Sequence, residues 1–159
     1  MRRGALAIFR QHRPNEDNDI MRVEEQIRAN AERTIRAMGP ISGIEAFGCN
    51  ADSVKWVEGF IERQRVRPEL DEDATDRLVS NLGPYLGACV IAYFGGAWRQ
   101  QDGMWGVALN PGNAVFPFNK VRKQFDNGIE DGIYCWFDSI PIVFAKYVKA
   151  AVGYMGNVG

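Results

Sequence analysis

Tyr85-Leu86-Gly87, Gly95-Gly96-Ala97-Trp98, Trp105-Gly106-Val107, Phe116-Pro117-Phe118-Asn119-Lys120-Val121, Asn127-Gly128 and Glu130-Asp131-Gly132-Ile133-Tyr134-Cys135-Trp136-Phe137 succeed one another between residues 85 and 137. Within this block the apolar period changes twice. A helical spacing ends at Gly95-Gly96. From there Trp105, Val107 and Leu109 alternate with smaller residues, as in a strand with one buried face. Asp102-Gly103 and Asn110-Pro111-Gly112-Asn113 are turn signals on either side of that strand. The spacing predicts a three-stranded antiparallel meander over about 97–101, 104–109 and 113–117. Helical spacing then returns over 118–126, with Phe118, Val121 and Phe125 inward and Lys120, Arg122, Lys123 and Gln124 outward. A last helix is expected over 131–149, with Ile133, Trp136, Phe137, Ile140, Phe144 and Val148 inward and a bend at Pro141.

Upstream of the block the pattern is helical. Ile20, Val23, Ile27, Ala31, Ile35 and Met38 form one stripe over 20–38, with Asp19 as the expected cap and Gly39-Pro40 as the expected stop. A second helix is expected over 52–66, capped by Asn50 or Asp52 and closed by Arg67-Pro68. Asp71-Glu72-Asp73 leads a third, where acids suit the helix dipole. Leu78, Val79, Leu82, Leu86, Val90 and Tyr93 are its apolar side, and Gly83-Pro84 predicts either a kink or two helices, 74–82 and 84–94. The fold class is α+β: helices packed in two layers on a small antiparallel meander, whose apolar face should lie on 74–94 and 131–149.

The chain has 159 residues, which suits one domain able to fold without disulfide or metal. The expected division is a polar N-terminal tail over 1–19, a single α+β domain over 20–149 and a glycine-rich C-terminal tail over 150–159. Met21 stands where the ordered pattern begins and is a candidate natural start. Arg2-Arg3 before Ala5-Leu6-Ala7-Ile8-Phe9 imitates an export signal, but Gln11-His12-Arg13 interrupts the apolar run too soon. No stretch is apolar for long enough to cross a bilayer. A net charge of -1 gives no field to attract nucleic acid or an acidic membrane. Cys49, Cys89 and Cys135 are odd in number and far apart, with no C-x-x-C, so a zinc site is not expected. Cys89 and Cys135 lie in apolar runs and read as small buried hydrophobes. A reducing, cytoplasmic setting follows as the expectation.

Four further groupings carry chemistry in principle. His12 is the only histidine and falls in the expected tail, away from any folded site for a nucleophilic pair. Asp71-Glu72-Asp73 and Glu130-Asp131 could serve acid–base work, yet each precedes an expected helix, where capping accounts for them. Lys120, Arg122 and Lys123 are the local basic cluster of the second half, able to grip a phosphate or an acidic partner. Trp98, Trp105, Phe116, Phe118, Trp136 and Phe137 could line an apolar pocket or form the core. No phosphate-loop or dinucleotide fingerprint occurs, and neither a cofactor nor a metal is expected.

Ser53-Val54-Lys55-Trp56-Val57-Glu58-Gly59-Phe60-Ile61-Glu62-Arg63, Tyr85-Leu86-Gly87, Gly95-Gly96-x-Trp98 and Pro117-Phe118-x-Lys120-Val121-x-Lys123 together resemble a set of small uncharacterised bacterial proteins of a domain-of-unknown-function type, over roughly residues 44–138. The resemblance implies a bacterial cytoplasmic single domain and brings no activity with it. The leading expectation is a non-enzymatic protein-interaction domain, adaptor- or immunity-like, monomeric or homodimeric. The binding residues it selects are Lys120, Lys123, Asp131 and Trp105. The alternatives are a small-molecule-binding domain with an aromatic pocket and a carboxylate-based hydrolase.

Overall fold

The computed structural model describes residues 14–155. The chain runs α1 (Pro14–Ser42), α2 (Ala51–Arg65), α3 (Glu72–Phe94), β1 (Ala97–Gln101), β2 (Met104–Asn110), β3 (Asn113–Val115), α4 (Pro117–Asn127), a 3-10 turn (Ile129–Asp131) and α5 (Ile133–Met155). The three strands form one antiparallel sheet in the order β1-β2-β3. Helices pack against it, and the fold is α+β.

Helix α3 is the centre. Val79, Leu82, Tyr85, Leu86, Cys89 and Val90 are buried along it, and residues 82–87 are buried without interruption. A helix buried all round is a core helix. Asp71 caps its N-terminus, accepting from the Ala74 N–H at 2.7 Å. The helix is continuous through Pro84. Proline has no N–H for the carbonyl four residues back, and α1 supplies the missing donor: Asn30 Nδ2 reaches the Ser80 carbonyl at 3.3 Å. One residue on, buried Thr34 shares its hydroxyl proton between the Asn81 carbonyl at 3.2 Å and its own Asn30 carbonyl at 2.8 Å.

Gly83 and Gly87, one helical turn apart, open a notch on α3. A Cβ on Gly83 would meet the Phe118 ring at 2.6 Å, and one on Gly87 the Trp98 ring at 2.2 Å. The two rings fill the notch with centroids 5.9 Å apart. Trp98 faces Val107 across the β1–β2 pair, and Val107 faces Val115, so one sheet face continues the core. The β1–β2 hairpin closes on Asp102 and Gly103, both at positive φ (51° and 78°), the left-handed pair that a two-residue hairpin turn requires. The chief helical neighbours of the sheet are α3 and α4. Helix α5, expected in that place, packs chiefly on α2 and α4.

Several boundaries differ from expectation. Helix α1 begins at Pro14, inside the expected tail. Proline at a first helical position and acids in the first turn (Glu16, Asp17) explain that start. Met21 therefore lies within the helix. Gly39-Pro40 does not stop it: Pro40 sits in the last turn, and the chain leaves the helix at Gly43, φ 71°. Residues 116–117 belong to the entry of α4 rather than to the third strand. Helix α5 runs to Met155, so part of the expected C-terminal tail is helical. His12 and the rest of 1–13, with 156–159, lie outside the described residues. Among the described residues no helix is long and apolar enough to cross a membrane.

Candidate functional site

Helix α4 presents two faces of different chemistry. Its inward side carries Val121, Gln124 and Phe125, all buried. Gln124, expected outside, is wholly buried because it follows Val121 by three residues on the same side. Its amide is fully used. Nε2 donates to the Glu58 carbonyl and to Glu62 Oε1, each at 3.1 Å, and Oε1 accepts from the Ile133 N–H at 3.0 Å. Glu58 Oε2 accepts from the next amide, Tyr134 N–H, at 2.9 Å. Gln124 and Glu58 thus satisfy the open N–H groups at the start of α5 from two other helices, and the carboxylate suits the positive end of the helix dipole. Gly132 keeps the approach clear, since a Cβ there would meet Glu58 Oε2 at 2.4 Å. Arg65 closes the other end of α4, donating from Nε to the Phe125 carbonyl at 3.2 Å.

The outward side of α4 carries the expected site. Gly128 (φ 83°) reverses the chain into the 3-10 turn, which returns Asp131 to the flank of α4. Lys120 Nζ lies 3.4 Å from Asp131 Oδ1, and Asn127 Nδ2 donates to Oδ2 at 2.7 Å. The Asn127 hydrogen bond, followed by the bond from Lys120, holds the Asp131 carboxyl below the usual range. Lys120 is largely covered, its side chain 14% exposed. Arg122 is engaged with Asp76 and lies 3.9 Å from Glu72, both on α3. Lys123 is exposed, and among the described residues no carboxylate pairs with it within bonding distance.

Lys120, Lys123 and Arg122 line one side of a cleft of about 550 Å³ whose other walls are Val115, Phe116, Asn119 and Trp136. The structure therefore brings together Lys120, Lys123 and Asp131, with Asp131 behind Lys120 as its counter-ion rather than as a free acid. Trp105 stands apart. It lies on β2 opposite Gln100 and packs half-buried against the core, and it is not among the residues lining this cleft. The other aromatics divide similarly: Trp98 and Phe137 are buried core, Phe118 packs against it, and Phe116 and Trp136 face the cleft. Of the remaining acids, Asp71 caps α3 and Glu72 faces Arg122.

The thiols differ from expectation in one respect. Cys89 is buried, but Cys135 is exposed, because the inward phase of α5 passes through Ile133, Phe137 and Ile140. Sequence reading missed the roles of Gln124, Glu58, Asn30 and Thr34. For Gln124 the signal was present in its spacing from Val121; for Asn30 it was Pro84, which leaves the Ser80 carbonyl without its helical donor. Comparison with family models, with curated proteins and with solved structures gives no match.

Proposed function

We propose that the protein is a non-enzymatic interaction domain, adaptor- or immunity-like, that takes an acidic segment of a protein partner into the cleft between β3, α4 and Trp136. The observation that carries this reading is the disposition of charge around the cleft. Two of its three cations are neutralised in place by Asp131 and by Asp76, while Lys123 is exposed and lines the same cleft as Phe116 and Trp136, with no carboxylate within bonding distance among the described residues. A cation sharing a cleft with two aromatic side chains suits a carboxylate flanked by apolar side chains, the combination found at interface anchor points. The volume suits a few side chains of a partner. The Lys120–Asp131 pair fixes the stem of Lys120 as a wall and leaves recognition to Lys123.

Peptide display against the intact protein tests this. Selected peptides should be enriched in Asp and Glu beside aromatic or aliphatic residues. Lys123→Glu should weaken their binding by roughly fivefold to thirtyfold, since an attraction of about 0.5–1 kcal/mol becomes a repulsion of similar size. Raised salt should weaken the wild-type complex in the same direction. Equal affinity in the Lys123→Glu protein would remove the cleft from the binding surface. A small molecule retained in native mass spectrometry and displaced by Trp136→Ala would favour the ligand-binding alternative instead.

A further inference from the structure

A second cleft, of about 710 Å³, opens between the α2–α3 connection and α3, and it shares no wall residue with the first. Its origin is local. Helix α2 ends ahead of Arg67-Pro68, because the residue before proline avoids helical geometry. The chain then turns through two hydrogen bonds, from the Arg67 N–H to the Gln64 carbonyl at 3.0 Å and from the Leu70 N–H to the Arg67 carbonyl at 3.2 Å. Leu70 packs half-buried against the core, and Asp71 caps α3. The connection is thereby fixed at both ends, with residues 66–69 exposed between them. The opposite wall is one face of α3, where Ala74, Arg77, Leu78 and Asn81 follow at helical spacing.

The lining combines apolar surface with charges of both signs. Val66, Pro68, Leu70 and Leu78 supply the apolar part, and Val66 is 75% exposed. Arg67, Glu69 and Arg77 supply the charges, and all three are exposed. Among the described residues none of the three lies within bonding distance of an opposite charge, and Arg77 does not engage Asp73 one turn back on its own helix. The neighbouring guanidiniums are all engaged: Arg65 with Glu62, Arg122 with Asp76, and Arg63 over the Trp56 ring. A ligand entering this cleft therefore breaks no ion pair to reach its charges.

We propose that this cleft binds a di- or tripeptide with apolar side chains and free ends, its carboxylate on Arg67 and Arg77 and its ammonium on Glu69. The arginine fork matches a carboxylate in two parallel hydrogen bonds. The apolar side chains of the ligand cover Val66, Leu70 and Leu78. The volume suits a molecule of that size and is more than one amino acid fills. The sign of the surroundings decides against a bare anion. Asp71, Glu72 and Asp73 stand between Leu70 and Ala74, both of which line the cleft. Those acids repel a net negative ligand but leave a zwitterion of zero net charge almost unaffected.

The test titrates leucyl-leucine into the isotope-labelled full chain and follows the backbone amides by NMR. Saturable shifts are expected at residues 66–70 and 74–81, with a dissociation constant at or below about 1 mM. Amidating the peptide carboxylate should weaken binding by roughly threefold to tenfold, and acetylating its amine should do the same. The double variant Arg67→Gln, Arg77→Gln should bind the free and the amidated peptide alike, and Glu69→Gln the free and the acetylated peptide alike. All three side chains are exposed, so the variants keep the fold, which their remaining amide shifts verify. No saturable shift at these residues at ten times that concentration would overturn the proposal. So would equal binding of a peptide capped at both ends, or charge variants that still distinguish free from capped ends.

Discussion

Gly87→Ala should destabilise the protein although alanine is the better helix former. Inside a helix this exchange gains about 1 kcal/mol from propensity alone. At Gly87 the new methyl would lie 2.2 Å from both Cζ2 and Cη2 of Trp98 and 3.3 Å from Pro117 Cγ. Ordinary carbon contact is near 3.5–4.0 Å, so the indole must move by more than an ångström. Trp98 is itself buried, 5% exposed, with Phe118 on its other side. Overpacking a filled core costs about 1–3 kcal/mol and occasionally more. A clash this deep belongs at the upper end, leaving a net loss of about 1–2 kcal/mol after the propensity gain. In a chain of this size that lowers Tm by roughly 3–8 °C.

Gly59 supplies the opposite sign. It also lies inside a helix, α2, but a methyl there would meet only the guanidinium end of Arg63, at 3.2 Å. Gly59→Ala should therefore stabilise by about 0.5–1 kcal/mol. Urea denaturation followed by circular dichroism measures both. The double mutant Gly87→Ala, Trp98→Phe provides the check on cause, because phenylalanine lacks the benzo ring that the methyl would strike. The added cost of Gly87→Ala should shrink when measured against Trp98→Phe alone. Equal stabilisation by both glycine-to-alanine changes would refute the packing of β1 onto α3 through Trp98.

Gln124→Leu should lose about 2–3 kcal/mol, since it strands the buried Ile133 N–H and releases the Glu58 carbonyl; a change under about 0.5 kcal/mol in the same urea assay would show that α5 is capped some other way. Asn127→Ala and Lys120→Met should each raise the pKa of Asp131, as read from the side-chain carboxyl shift in an NMR titration. Because the folded Asp131 carboxyl titrates below its unfolded value, its contribution to stability is complete above the ordinary carboxylate range. It fades as pH falls through the folded value, and Asn127→Ala should flatten that acid limb; an unchanged Asp131 titration in both variants would dismiss the two contacts.

Much of the fold was legible because it rests on local chemistry. Asp102-Gly103 sets a hairpin turn by its own backbone preferences, and Asn50 and Asp71 cap the helices they precede. The α1 boundaries were misread for the same local reason. Pro14 and Pro40 look like breaks, yet Pro14 occupies a first helical position, where the missing N–H costs little, and Pro40 sits in the last turn of a helix that the chain leaves only at Gly43. Packing partners were less legible. That the sheet lies mainly on α4 and α3 depends on Phe118 and Trp98 sharing the notch at Gly83 and Gly87, a match between residues far apart in the chain.

Of the four expected binding residues the structure brings three together, Lys120, Lys123 and Asp131, and leaves Trp105 apart, and the pairing among the three was not legible. Lys120, Lys123 and Asp131 could each be named from sequence, whereas the pairing that neutralises Lys120 arises only when Gly128 folds the chain back upon α4. Polar residues at inward helical positions form the more general case. Gln124 follows Val121 by three residues, and Thr34 follows Ala31 by three; both are buried, and both hydrogen-bond backbone in another helix. Gln124 serves an interruption elsewhere, the start of α5, and Thr34 meets α3 one residue past the carbonyl that Pro84 leaves open and Asn30 fills. A buried amide or hydroxyl must find a partner, and an interrupted helix must find donors or acceptors for its open ends. An inward polar residue in one helix and a break in another are therefore two halves of one prediction, and reading them together would have placed α1 on α3 and α4 on α5.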